Sequence, residues 1–259
     1  MKRNGYCYLI RLSYLGFRYS GWQKQPGQKT IESMLSKTFA FLYPNMEYKL
    51  LGAGRTDAKV SALNAAFELF LPNPLDDLER FNCEFNTNLP PDIRLESIEA
   101  IGTDFNIIKD STLKEYVYLF SFGSKAHPYC APFLTNYPYA LKLATMKKAA
   151  SLFEGQHDFS VYTAELKEHT KRIRIIKTCV IEENTLLTAN FFPDLSYMLR
   201  VSGEGFMRYQ IRMIMGALVQ VGKSELTLTQ IAESLEPNSK MELKTIAPGS
   251  GLHLNQLNF

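Results

Sequence analysis

Two stretches of this 259-residue chain carry side chains able to do acid–base or nucleophilic chemistry. The first is Leu51-Gly52-Ala53-Gly54-Arg55-Thr56-Asp57-Ala58. Gly52 and Gly54 permit a tight turn and close backbone approach. Segments on both sides read as strands, so Arg55 and Asp57 fall in a loop held by rigid elements, where reactive groups are often found. A carboxylate there can serve as nucleophile or general base. The same residues also fit a hairpin turn with a surface ion pair. The second stretch holds Arg212 within an apolar helical run from Ile211 to Val221. A lone charge in such a setting is costly unless an acid pairs with it. Tyr116 and Tyr118, at strand spacing, suit base stacking or an ordinary core.

Other chemistries find little support. Cys7, Cys83, Cys130 and Cys179 are far apart, with no CxxC pair, and read as reduced thiols. His127, His157, His169 and His253 show none of the spacings of a metal centre. No metal centre is therefore expected. Apolar residues make up 46% of the chain and charged residues 21%, the balance of a soluble globular protein. No run approaches the roughly 20 apolar residues that span a bilayer. The basic start Met1-Lys2-Arg3-Asn4 is followed by a stretch that Arg11 interrupts, which argues against a secretory signal. A cytoplasmic protein is expected. The net charge of +3 is small, so a nucleic-acid-binding face would have to be local.

The elements that position these residues come in two similar series. Tyr6–Tyr14 reads as a strand, Thr30 as the N-cap of a helix through Leu42, and Tyr48–Ala53 and Asn64–Leu71 as strands. Pro74 opens a helix to Phe85, and Ile93–Ile101 is a further strand. The order β-α-β-β-α-β is the ferredoxin-like, split βαβ pattern. Downstream, Lys114–Phe122 (strand), Ala140–Phe153 (helix), Arg172–Glu182, Leu186–Phe192 and Tyr197–Gly203 (strands), Phe206–Val221 and Leu228–Leu235 (helices) and Leu252–Phe259 (strand) repeat it with additions. The expected fold class is α+β, with two ferredoxin-like units whose sheets join edge to edge around a central cleft. The expected domains are residues 1–105 and 106–259, with the junction in the 103–112 segment.

Collinear motifs along nearly the whole chain resemble the tRNA pseudouridine synthase A (TruA) family. They are Tyr14-Leu15-Gly16 with Tyr19-Ser20-Gly21-Trp22-Gln23 and Gln25-Pro26; Thr30-Ile31-Glu32; Gly52-Ala53-Gly54-Arg55-Thr56-Asp57; Asn88-Leu89-Pro90-Pro91-Asp92-Ile93; Lys114-Glu115-Tyr116-Val117-Tyr118; the turn Phe153-Glu154-Gly155-Gln156-His157-Asp158-Phe159; Gly203-Glu204-Gly205-Phe206 with Arg212 and Gly216; Val221-Gly222; and Ala247-Pro248 with Gly251-Leu252. The resemblance implies isomerisation of uridine to pseudouridine in the anticodon stem-loop of tRNA, without a cofactor, by a homodimer. It implies Asp57 as the catalytic carboxylate, Arg212 as its ionic partner, and Tyr116 stacked on the target uracil. It implies that Arg55 fills the space left by the everted nucleotide and that Arg172 meets RNA. Trp22 and His157 read as structural. Lys171, Arg172, Arg174 and Lys177 read as a basic strand face, and Lys125, Lys142, Lys147 and Lys148 as surface.

The chain also departs from the family pattern. Lys59 stands where the motif has glycine, and Ser61 where it has histidine. An expected arginine is missing from Phe105-Asn106-Ile107-Ile108-Lys109, where Ile108 occupies its place. Two other readings accompany the synthase: a paralogue acting on another RNA site, and a non-catalytic RNA-binding or folding module on the same scaffold. The intact set Asp57, Tyr116 and Arg212 argues against the second.

Overall fold

The structure, a computed structural model, describes residues 5–164, 166, 170–243 and 245–259. His169 and the basic start at residues 1–4 lie outside these. The chain divides into two compact units, one of residues up to Thr112 together with Leu254–Phe259, the other Leu113–His253. This division falls several residues after 105. The reason is packing: Ile107 is fully buried in a cluster with Leu9, Ala53, Ala66 and Leu257. The last six residues return to the first unit, where Thr112 N–H donates to the carbonyl of Asn258 at 2.9 Å.

The first unit contains β1 (Tyr6–Tyr14), α1 (Ile31–Leu42), β2 (Lys49–Gly52), β3 (Ser61–Leu71), α2 (Leu78–Asn88) and β4 (Ile93–Ile101). β1 pairs antiparallel with both β3 and β4, and β2 pairs antiparallel with β3. The order β4-β1-β3-β2 is that of a split βαβ unit. Thr30 caps α1 through a capping box with Ser33, whose N–H donates to Thr30 Oγ1 at 3.2 Å. α1 turns Ile31, Met34, Leu35 and Phe39 inward, and Phe39 meets Phe81 and Phe85 of α2. α2 begins at Leu78 rather than Pro74, because Asp77 Oδ1 accepts the Arg80 N–H at 2.9 Å and makes the stronger cap. The residues between are drawn away by Tyr8, whose hydroxyl accepts the Leu75 N–H at 2.8 Å.

The second unit contains β5 (Leu113–Phe122), β6 (Thr135–Tyr137), α3 (Leu143–Ser151), β7 (Gly155–Asp158), β8 (Ile173–Glu183), β9 (Tyr197–Gly203), α4 (Gln210–Gly222), α5 (Leu228–Ser234) and the start of β10 (Leu252–Asn258), whose later residues lie beside β3 in the first unit. β5, β9, β8 and β7 follow one another across the sheet, all antiparallel. The first three repeat the placement of β1, β3 and β2. β6 adds a short parallel partner to β5, and the expected turn at Gly155–Asp158 is the strand β7. Among the described residues no helix is long and apolar enough to cross a membrane.

Leu186–Phe192, expected as a strand, is a loop. Asn184 captures its backbone: the Asn184 carboxamide oxygen accepts the Leu186 and Leu187 N–H groups, and its NH₂ donates to the Leu187 carbonyl at 2.7 Å. A side chain that mimics a turn in this way competes with a ladder. The apolar residues that suggested a strand, Leu186, Leu187, Phe191 and Phe192, instead cover Val117, Leu119, Cys130, Leu134 and Met198.

Candidate active site

Asp57 lies in the loop between β2 and β3, and the loop is clamped from the side by residues 14–22. Trp22 N–H donates to the Thr56 carbonyl at 3.0 Å, and the hydroxyls of Tyr14 and Thr56 are 2.9 Å apart. Gly21 has φ +97°, and a Cβ there would sit 2.6 Å from the Thr56 oxygen. A Cβ on Gly52 would sit 2.6 Å from Nε1 of the buried Trp22. These close approaches require glycine and press the loop against the strand-to-helix connection. Thr56 and Asp57 are half-buried, while Arg55 is exposed. Trp22 is thus a wedge behind the loop, in keeping with a structural role.

The two departures after Asp57 have different consequences. Lys59 has φ +66°, the left-handed conformation that costs a residue with a Cβ roughly 1–2 kcal/mol. Its N–H donates to the Tyr19 carbonyl at 3.0 Å, and Val60 N–H closes the turn onto the Asp57 carbonyl at 3.2 Å, so the conformation is held from both sides. Ser61 is buried, and its Oγ accepts the Gly16 N–H at 2.9 Å. Asp92, nearby in sequence to the start of β4, binds Arg18 Nε at 2.7 Å and the Tyr19 hydroxyl at 2.6 Å. Burial works against ionisation of Asp92, yet the hydrogen bonds from Arg18 and Tyr19 outweigh it and hold the carboxyl below its usual range. Burial, then the bond to Asp92, push the Tyr19 phenol well up. Ile108 is exposed, and Asn106 Oδ1 accepts its N–H and that of Lys109.

In the second unit, Tyr116 and Tyr118 share a face of β5 and meet different fates. Tyr116 is half-buried and stands edge-on to Phe206, with ring centroids 5.6 Å apart at 89°. Tyr118 is fully buried, its hydroxyl bonded to the Pro248 carbonyl and Thr135 Oγ1, each at 2.8 Å. Burial raises its phenol to about 12. Lys114, the first residue of the Lys114–Tyr118 motif, lies on the same face. Burial lowers its pKa.

Arg212 is the one half-buried charge in α4, whose other residues from Ile211 to Val219 are buried. Its Nε donates to the Ala247 carbonyl at 2.7 Å, and its guanidinium lies over the Tyr209 ring at 4.9 Å. α4 starts at Gln210 instead of Phe206. Tyr209 takes a left-handed conformation, and Gln210 Oε1 accepts the Met207 N–H at 2.8 Å, which fixes a turn ahead of the helix. Gly216 lets the segment around Thr245 lie along α4, since a Cβ there would meet the Thr245 oxygen at 2.3 Å.

The basic residues around β8 differ in exposure. Arg172 is exposed and precedes β8; within β8 a register shift between Ile176 and Thr178 interrupts the alternation at Lys177, between Arg174 and the rest of the strand. Arg174 has a buried Nε, and Lys177 is exposed beyond Ile173 and Ile175. Lys125, Lys142, Lys147 and Lys148 are exposed. His157, in β7, has Nε2 2.8 Å from the Glu154 carbonyl, and its ring meets Phe159. Among the described residues no group of three or more His, Cys, Asp or Glu side chains is arranged to hold a metal ion.

Comparison with known proteins gives the class first. Residues 149–259 match the family model described as tRNA pseudouridine synthase. The tRNA pseudouridine synthase A of Streptococcus thermophilus is 30% identical over 254 residues, covering 97% of this chain and 98% of its own. That of Thermodesulfovibrio yellowstonii is 30% identical over 255 residues, covering 96% and 97%. A Cbf5-Nop10-Gar1 complex is a distant structural match, with TM-score 0.33 at 18% identity over 81% of this chain and 46% of that one. The chain belongs to the tRNA pseudouridine synthase A family.

Proposed function

We propose that the chain isomerises uridine to pseudouridine in the anticodon stem-loop of tRNA, with Asp57 as the reacting carboxylate. The observation that carries this is family membership across nearly the full chain, joined to the Asp57 loop held by Trp22, Gly21 and Tyr14. The reaction breaks N1–C1′ of the target nucleotide, turns the uracil, and joins C5 to C1′. The C5 proton goes to solvent and N1 regains a proton, so atoms and charge balance without a metal or redox partner. A carboxylate serves by trapping C1′ or by removing a sugar proton. Arg212 keeps Asp57 ionised, as a neighbouring cation does. Tyr116 stacks on the uracil, and Arg55 fills the gap it leaves, offsetting part of the few kcal/mol that eversion costs. Arg172 contacts RNA. The enzyme works in the cytoplasm as a homodimer.

Tritium release from tRNA carrying C5-labelled uridine tests the reading. Wild type should release it and Asp57→Asn should not, while still binding tRNA. Silence from both would leave an RNA-binding module. Mapping pseudouridine in tRNA from cells lacking the gene separates the anticodon stem-loop from another RNA site.

A further inference from the structure

We propose that Lys59 sets the affinity for RNA by gripping a phosphate that flanks the reacting nucleotide, with Lys29 as its companion on the same turn. The inference rests on the reading of Asp57 given above. Lys59 holds a left-handed backbone, φ +66°, that glycine would adopt freely. Glycine would also keep both backbone bonds of the turn, Lys59 N–H to Tyr19 and Val60 N–H to Asp57. What lysine adds is an exposed ammonium, two residues from Asp57, standing 5.6 Å over the Phe17 ring. An exposed contact of that kind gives back no more than the backbone strain takes away. Strain retained beside a reacting group is the mark of a functional demand.

The surroundings point to a polyanion. Phe17, Arg18 and Tyr19 are consecutive, and each brings a cation to one short turn: Lys59 over Phe17, Arg18 on Asp92 at 2.7 Å, and Lys29 over Tyr19 at 5.1 Å. Arg18 already has its carboxylate; the described contacts of Lys29 and Lys59 are with rings, which fix an ammonium without neutralising it. The Gly16–Arg18 turn is tied to the Asp57 loop through Gly16 N–H to Ser61 and Lys59 N–H to Tyr19. Phosphates flanking a nucleotide lie one sugar away from its C1′, so an ammonium on the rim of the Asp57 loop is placed for the RNA backbone. Phosphate contacts of this sort carry affinity and register, not base identity.

The test compares wild type, Lys59→Gly and Lys59→Arg as full chains, using fluorescence anisotropy with an unmodified tRNA transcript across a salt series, alongside tritium release. Lys59→Gly should melt no lower than wild type, yet bind about threefold to tenfold more weakly near 0.1 M salt, with a log–log salt slope smaller by about 0.7–0.9. The loss should fall on KM rather than kcat, and Lys59→Arg should restore it. Wild-type affinity and slope in Lys59→Gly would overturn the proposal. If wild type releases no tritium but Lys59→Gly still loses affinity, the phosphate contact stands and the reading of Asp57 falls. If wild type turns over normally and Lys59→Gly binds unchanged, the phosphate contact alone falls.

Discussion

Arg212 and Ala247 are joined by two reciprocal bonds: Arg212 Nε donates to the Ala247 carbonyl at 2.7 Å, and Ala247 N–H donates to the Arg212 carbonyl at 3.0 Å. The guanidinium is thereby held by backbone on one side and by the Tyr209 ring on the other. Arg212→Lys keeps the charge but loses the fork. Turnover should fall on the order of a hundredfold, the scale of losing one positioned donor, while the melting temperature drops by only a few degrees. Near-normal turnover in Arg212→Lys would show that charge alone suffices.

Gly21 makes the Asp57 loop sensitive to a single methyl group. A Cβ at φ +97° would lie 2.6 Å from the Thr56 oxygen. Gly21→Ala should cost about 1–3 kcal/mol in stability and lower kcat further than that loss explains, because Thr56 and Asp57 must shift together. Urea unfolding and single-turnover kinetics on the same preparation check both halves.

Tyr116 and Tyr118 should separate cleanly despite sharing a face. Tyr118→Phe leaves the Pro248 carbonyl without its 2.8 Å donor, a loss of about 1–3 kcal/mol for a buried polar group, with turnover little changed at temperatures where the variant is folded. Tyr116→Ala should do the reverse, sparing most of the stability and removing turnover. Thermal melts paired with tritium release would reveal a reversed pattern.

His253 predicts an acid-sensitive fold. Its Nε2 lies 2.7 Å from the Phe133 carbonyl, and burial lowers its pKa to about 4. A base whose folded pKa is depressed takes up its proton more readily when unfolded. Stability is therefore full above the ordinary value near 6.5, falls as the pH drops towards 4, and levels off below. The drop across that window is about 3 kcal/mol, at roughly 1.4 kcal/mol per unit. Chemical denaturation from pH 7.5 to 4 should show a slope that His253→Asn lacks.

Much of the fold was legible because its signals are local. The alternation in Tyr6–Tyr14 and Ile93–Ile101 gave strands with the bounds observed, and Thr30 gave the start of α1. Errors came where a side chain took over the backbone. Asp77 moved the start of α2, Gln210 and the left-handed Tyr209 moved the start of α4, and Asn184 turned an apolar run into a loop.

By itself the sequence determined most of the element types, the two α+β series, and a motif set dense enough to place the chain in its family, because periodicity and residue identity are properties of neighbours along the chain. Only the tertiary structure decided that Trp22 backs the Asp57 loop, that Ala247 holds Arg212, that Tyr116 is half-buried against Phe206 while Tyr118 is sealed, and that residues 254–259 belong with the first unit. Each of those depends on contacts between residues distant in sequence, and such contacts form only when the packed chain brings their backbones within hydrogen-bonding reach.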